Sequence, residues 1–492
     1  MTRFAKNLAA FVLWAVAALA VILSIWQLEA ERATVSEEVI ETQAGAVSLY
    51  RTETEGPLVV ITHGFAGSRQ MMQYISRDLA RAGFTVAAFD FLGHGRNPDR
   101  MSADVSRIEG TTQQLVGQTR AVVQALQQEA GLAGPLALLG HSMATDIIIR
   151  AAEDIPDVAA IVAISMYSDA ITADFPERLL ILSGQWEDRL RAVALDAVAL
   201  VGDRAEEAET VRNGLVLRRA VSVPRTEHVA VLFAPLTMQE TRAWLNDAFA
   251  RPQSGQTQAR GRAILALLVG LAILMWPLTR LLPARRGPQA PVPLRTFLVG
   301  VLMPVLPAMA AAVLLGGGLM QTAAFGALLL FFAIWGSVAL IVLVAAGYRP
   351  QLPRLGGIAL LLLWGLGAFA LALDRYAAAF LPTGPRVPLM LWLLLGTVPF
   401  VLADRVLAAG APLWRRVTLR VVPVVALSGS MIVFPQSMGV LFTVLPVMVL
   451  FFVVYGTMAR AVAVRTNPET AALALAVILA WSIAASTPLF VG

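Results

Sequence analysis

Residues 140–144 read Gly140-His141-Ser142-Met143-Ala144, between an apolar run ending at Leu139 and a stretch whose apolar positions Ile147, Ile148 and Ala151 fit a helix. A strand, a sharp turn and a helix would hold the serine oxygen at the carboxyl edge of a sheet. Such a turn is strained and tolerates only small residues two positions away, here Gly140 and Ala144. Amides at the start of the helix would point at the same spot and favour the negative charge that develops during acyl transfer. A serine hydroxyl is a poor nucleophile at neutral pH. It needs a base with a pKa near 7 and a carboxylate that fixes the base's tautomer. The chain has four histidines, His63, His94, His141 and His228. The usual elbow pattern ends in glycine, and Ala144 adds a methyl group. Alone, the five residues also fit an ordinary strand-to-helix turn, so the rest of the chain has to decide.

The 492 residues are 57% hydrophobic and only 14% charged, so part of the chain must live in lipid. With no cysteine, disulfides and thiolate metal sites are excluded. The formal charge of +5 is almost wholly arginine, since Lys6 is the only lysine, a skew that points to a GC-rich bacterial genome. The arginines flank apolar segments rather than forming a stripe with interleaved aromatics, which argues for membrane topology and against nucleic acid.

Three regions follow. Residues 1–29 hold an apolar run from Leu8 to Leu28, near the roughly 20 residues a bilayer needs, and read as an uncleaved anchor. Residues 30–255 alternate strand and helix patterns, which predicts a mostly parallel sheet with helices on both faces. Predicted strands include Leu58–Thr62, Phe84–Phe89, Val158–Ile164, Arg178–Leu182 and Leu215–Val223, with a helical Ala- and Glu-rich stretch before the last and a closing helix over Pro235–Phe249. Only about a dozen residues separate Ile164 from Arg178, which leaves no room for a large cap. After a linker over Arg251–Gln258, residues 256–492 carry about eight further apolar runs, an all-α polytopic membrane domain. An N-terminus inside puts Arg280, Arg285, Arg286, Arg295, Arg349, Arg354, Arg405, Arg415, Arg416, Arg460 and Arg465 on the cytoplasmic side. The 30–255 domain then faces outward from a bacterial inner membrane, on the periplasmic side. Arg260 and Arg262 run against this bias.

The segment from about 35 to 250 resembles the α/β-hydrolase superfamily, and within it the serine esterases, lipases and acylglycerol-hydrolase-like enzymes. The resemblance rests on motif order: His63-Gly64 after the first parallel strand, Asp90 to Gly95, the elbow at Ser142, an acid after a later strand, and a late histidine. It implies an α/β-hydrolase sandwich in which Ser142 is the nucleophile and His228 the general base. The register after Gly184 implies Glu187 as the third member, with Asp188 the alternative and Asp169 a further candidate. The oxyanion hole would be the amides of Phe65 and Met143. Asp90 to Gly95 is assigned a structural turn. No cofactor or metal is implied. The expected substrate is an acyl ester or lipid-like molecule reached at the membrane; acyl transfer, or a transporter or scaffold with a non-catalytic binding module, are the alternatives. Charges at segment ends, such as Asp374-Arg375 and Asp404-Arg405, disfavour ion-coupled transport.

Overall fold

The computed structural model describes residues 3–53, 55–104, 107–202, 205–253, 257, 260–283, 289–317, 319–320 and 325–491. Arg285, Arg286 and linker positions 254–256 and 258 lie outside the described residues. The chain divides into two compact units. One takes in Met1–Ile22, Leu267–Asp374 and Phe380–Gly492, the other Leu23–Ala266 with Arg375–Ala379.

The second unit is built on a nine-stranded sheet. Its elements in chain order are β1 (Ser36–Thr42), β2 (Gly45–Arg51), β3 (Leu58–Thr62), α2 (Gln73–Arg81, numbered after the N-terminal helix α1, Arg3–Arg32), β4 (Thr85–Phe89), α3 (Gln113–Gln128), β5 (Leu136–His141), α4 (Met143–Ala152), β6 (Val158–Ile164), β7 (Arg178–Gly184), α5 (Asp188–Ala199), β8 (Thr210–Asn213), β9 (Val216–Val223) and α6 (Pro235–Ala248). The strand order is β1-β2-β4-β3-β5-β6-β7-β9-β8. Strands β4, β3, β5, β6, β7 and β9 are mutually parallel, while β1, β2 and β8 pair antiparallel.

Strands β3, β4 and β5 are buried along their whole length, so they read as unbroken apolar runs rather than alternating ones. Val59 and Ile61 face the core beneath α2 and α6, with Ile75, Leu79, Met238 and Leu245. Leu58 and Val60 point the other way, toward Leu115, Val122, Ile147 and Val198 of α3, α4 and α5. Loop 165–177 forms no helix, so no cap is built there.

Part of the predicted Ala- and Glu-rich helix is absent. Helix α5 ends at Ala199, and the chain then makes β8 and a hairpin into β9. Gly214, with φ +59°, occupies the first turn position, as a two-residue hairpin loop with a primed turn requires. The signal was Gly214, the first residue of the Gly214-Leu215 loop. Arg260, which ran against the charge bias, is 1% exposed and pairs with Glu31, as does Arg81 of α2. It is an internal partner of this unit, not a loop charge.

In the first unit the apolar runs are helices. With Asn7–Arg32 of α1, nine described helices are long and apolar enough to cross a membrane. The others are α7 (Arg260–Leu281), α8 (Leu294–Leu315), α9 (Phe325–Ala345), α10 (Leu355–Tyr376), α11 (Arg386–Ala408), α12 (Leu413–Val433), α13 (Leu441–Arg465) and α14 (Pro468–Ser486). Pro304 interrupts α8 between Leu302 and Val305, whereas Pro399 and Pro423 sit inside continuous helices. Helices α9 and α11 touch backbone to backbone through glycine. A Cβ on Gly336 would fall 2.2 Å from the Phe400 nitrogen, and one on Gly396 2.5 Å from the Leu329 carbonyl oxygen. The Thr397 hydroxyl donates to the Ala476 carbonyl at 3.0 Å and ties α11 to α14.

Candidate active site

Ser142 stands alone between β5 and α4 with φ +55° and ψ −122°, a conformation that costs roughly 1–3 kcal/mol for a residue with a side chain. The neighbours hold it there. The Ser142 amide donates to the Ile164 carbonyl at 2.8 Å, and its carbonyl accepts from the Thr145 amide and hydroxyl at 2.9 and 2.7 Å. A Cβ on Gly140 would lie 2.8 Å from the Ala144 carbonyl oxygen, so position 140 has to be glycine. Ala144 itself is fully buried in the core, which accommodates its methyl group.

The serine oxygen lies 2.8 Å from His228 Nε2, and His228 Nδ1 lies 2.5 Å from Glu187 Oε1. A carboxylate only accepts, so Nδ1 carries the proton and Nε2 is left to accept from the serine. Glu187 Oε2 accepts from the Gly184 amide at 2.6 Å and the Ser165 hydroxyl at 2.8 Å. Burial pushes this carboxyl's pKa up, but hydrogen bonds from His228, the Gly184 amide and Ser165 outweigh it and hold the group below its ordinary value. It stays ionised.

The two loops that carry these groups are laced together. The Trp186 amide donates to the Thr226 carbonyl at 3.2 Å, and the Arg225 amide to the Gln185 side-chain oxygen at 2.8 Å. His141 Nε2 donates to the His228 carbonyl at 2.8 Å and fixes the base loop from beneath. Burial, with the nearby His228, lowers the His141 pKa to about 4, so the ring is neutral at pH 7.

The turn after β3 closes on the same spot. A Cβ on Gly64 would fall 2.9 Å from Ser142 Cβ and 3.0 Å from His141 Nδ1. Only glycine lets the backbone leading to Phe65 approach so near. His63, fully buried, donates through Nδ1 to the Gly64 carbonyl at 2.8 Å and accepts the Phe91 amide on Nε2 at 3.1 Å. Met143 is the first residue of α4, where amides lack intrahelical partners. Asp90 accepts the amides of Arg69 and Arg96 at 2.7 and 3.1 Å, and a Cβ on Gly95 would strike its carboxylate, so this stretch is a closed turn. Beyond it, Ala379 donates its amide to the Ser68 hydroxyl at 3.0 Å, and Gln73 donates to the Arg375 carbonyl at 3.1 Å.

The structure thus brings Ser142, His228 and Glu187 into one hydrogen-bonded series, with Gly64-Phe65 and Met143 beside the serine. Asp188 lies outside it, its side chain 93% exposed and 3.4 Å from Arg191. Asp169 pairs with Arg150 on the surface. Sequence reasoning passed over Ser165, which follows β6 with φ +53°; the one signal is a polar residue directly after a buried apolar strand. His228 is 43% exposed at its side chain, and Tyr167 and Trp186 on adjoining loops are exposed. Such an arrangement can deprotonate a serine as it attacks an acyl carbon and then protonate the leaving group. Among the described residues no cluster of His, Asp or Glu could hold a metal ion.

Residues 54–240 match a family model described as serine aminopeptidase, S33. A search of curated proteins finds no match. Similar solved structures include TT1662 from Thermus thermophilus, at 19% identity over 44% of this chain and 99% of that one, with a TM-score of 0.32. Dienelactone hydrolase from Anabaena variabilis matches at 17% identity over 44% and 98%, TM-score 0.35. A thermophilic esterase from Thermogutta terrifontis matches at 15% identity over 43% and 99%, TM-score 0.32. With its mostly parallel sheet and its matched segment, this part of the chain is an α/β-hydrolase-like domain, joined in the same polypeptide to a region of long apolar helices.

Proposed function

We propose that the protein is a membrane-anchored serine hydrolase that cleaves acyl esters through an acyl-enzyme intermediate. The observation that carries this reading is the unbroken series Ser142, His228, Glu187. Ser142 attacks the acyl carbon while His228 takes its proton; Glu187 holds the imidazole tautomer and stabilises the imidazolium; the amides of Phe65 and Met143 receive the oxyanion. His228 then protonates the leaving alcohol, and water repeats the sequence to free the acid. The substrate is an acyl ester delivered at the outer face of a bacterial inner membrane, because both ends of the domain lead into apolar helices and the basic loops fall on the other side. Exposed Trp186 and Tyr167 beside an uncapped site suit an apolar acyl group.

Labelling of membranes with a fluorophosphonate probe tests the chemistry. Wild type is expected to label, and Ser142→Ala and His228→Ala to lose labelling and turnover by about 10⁴-fold or more. Intact wild type that fails to label would move the non-catalytic binding module ahead. The same machinery attacks amides, so the substrate panel sets micellar long-chain esters against water-soluble short esters and aminoacyl amides. A strong preference for either of the latter two would overturn the lipid-ester assignment. Because the chain has no cysteine, single cysteines placed at Asp188 and at Arg349 report sidedness with an impermeant maleimide. Only the first is expected to react in intact spheroplasts.

A further inference from the structure

The helical unit contains a cavity of about 830 Å³ whose walls include the ends of α11 and α13 and the start of α12. Consecutive membrane helices alternate in direction, so these three ends lie on one side. Four arginines line it: Arg405, Arg416, Arg420 and Arg460. The remaining wall is largely apolar, with Val421, Val424, Val449 and Phe452. Outward side chains of the same two helices, such as Val425 and Leu450, are well exposed, as side chains that meet lipid would be.

The charges in this cavity do not cancel. Asp404 accepts from Arg405 at 2.8 Å and from Arg420 at 3.3 Å, and Arg420 also lies 5.1 Å from the Phe452 ring centroid. From Leu267 onward the sequence holds fourteen arginines but only three carboxylate side chains, Asp374, Asp404 and Glu469. Asp374 accepts the Phe380 amide, and Glu469 accepts the Tyr348 hydroxyl and the Gln351 amide. Among the described residues none of the three makes an ion pair with Arg416 or Arg460, and Arg416 Nε is buried with no hydrogen-bond partner. A guanidinium in a partly apolar cavity needs an anion to offset its desolvation. The planar fork matches a phosphate, and the apolar wall calls for a chain attached to it.

We infer that this cavity binds an anionic phospholipid, with its phosphate on Arg416, Arg420 and Arg460 and one acyl chain along the valines of α12 and α13. The site is independent of the hydrolase reading. Gly456 of α13 lines the cavity next to Arg420: a Cβ there would sit in ordinary contact with the guanidinium, at 3.9 Å, so a large side chain at this position would reach into the arginine cluster.

The test is native mass spectrometry of the full chain from micelles doped equally with phosphatidylglycerol and phosphatidylcholine. Wild type is expected to retain phosphatidylglycerol on the order of tenfold more than phosphatidylcholine. The R416Q/R460Q double variant should lose that preference, and R416K/R460K should keep most of it. Gly456→Phe removes no arginine and puts a ring into the cavity, so it decides the matter if the glutamine variant does not fold; it too should lose the preference. Equal retention by wild type, or an unchanged preference in both R416Q/R460Q and Gly456→Phe, overturns the inference. Displacement of the lipid by millimolar inorganic phosphate would make this a free-anion site and overturn the lipid assignment.

Discussion

The two units differ in how many carboxylates they offer their buried arginines. In the α/β unit most of them meet carboxylates: Arg77 meets Glu37, Arg81 meets Glu31 and Asp78, and Arg242 meets Asp78 at 3.3 Å, while Arg218 donates to the carbonyls of Ala197, Thr172 and Phe175. In the helical unit carboxylates are scarce: Asp404 serves both Arg405 and Arg420, and other arginines turn to backbone carbonyls. Arg386, 1% exposed, donates to Ala484 and Thr487 at 3.1 and 2.6 Å, and Arg415 to Val292 at 2.9 Å. A domain rich in carboxylates can set some aside to tune a base. A domain with three can only use its polar groups to hold helices together or to meet an anion from outside. The difference predicts that removing polar groups in the first unit changes chemistry, and in the second changes stability or lipid binding.

The sharpest separation within the α/β unit is between two adjacent carboxylates. Glu187→Gln keeps the shape but lets Nδ1 lose its acceptor, so turnover should fall by about 10³–10⁴-fold. Asp188→Asn, at an exposed position, should change it by less than about twofold. Comparing kcat/KM on one ester decides; equal losses would mean that the acid role is shared or misassigned.

That pair also marks how far the sequence could be read. The parallel strands were legible because burial on both faces makes unbroken apolar runs, and Gly140, Ser142 and Gly64 because close approach leaves no freedom of residue type. Choosing Glu187 over Asp188 rested on a register counted from Gly184; the structure adds the Gly184 amide and the Ser165 hydroxyl that hold one carboxylate and leave the other in water. Strand β8 was hidden because its four residues are mostly exposed and carry no apolar period. Hydropathy revealed the apolar helices, but the Arg416 and Arg460 imbalance appears only once the few carboxylates are seen to be engaged elsewhere.

Acid should expose the next difference. The folded His141 pKa of about 4 lies below the ordinary 6.5, so the unfolded chain binds the proton first. Stability therefore falls as pH drops from about 6.5 to 4 and is flat below, by up to roughly 3 kcal/mol. Glu187, held below 4.5, adds its own loss only at lower pH. Residual probe labelling after a heat step, followed against pH, should show the first window in wild type. His141→Gln retains a donor for the His228 carbonyl without the titration, and should flatten that window.

Gly64→Ala tests approach without touching a reacting group. Its methyl would fall 2.9 Å from Ser142 Cβ, so the turn carrying Phe65 must retreat. A shift of that size should lower kcat by about 10²-fold with little change in thermal stability. Unchanged kcat would remove the Phe65 amide from the oxyanion reading.

The helical unit should answer differently. Arg386→Leu strips two buried carbonyls, those of Ala484 and Thr487, of a charged donor near the end of α14. The cost should be about 1–3 kcal/mol, read as a lower midpoint for heat-induced aggregation in detergent. The labelling rate of Ser142 in the surviving folded fraction should match wild type, because the change acts on helix packing and leaves the hydrogen bonds from Ser142 to Glu187 as they were. A fall in that rate comparable to the Gly64→Ala loss would break the division between the units, and would mean that the packing of α11 against α14 sets the chemistry as well as the fold.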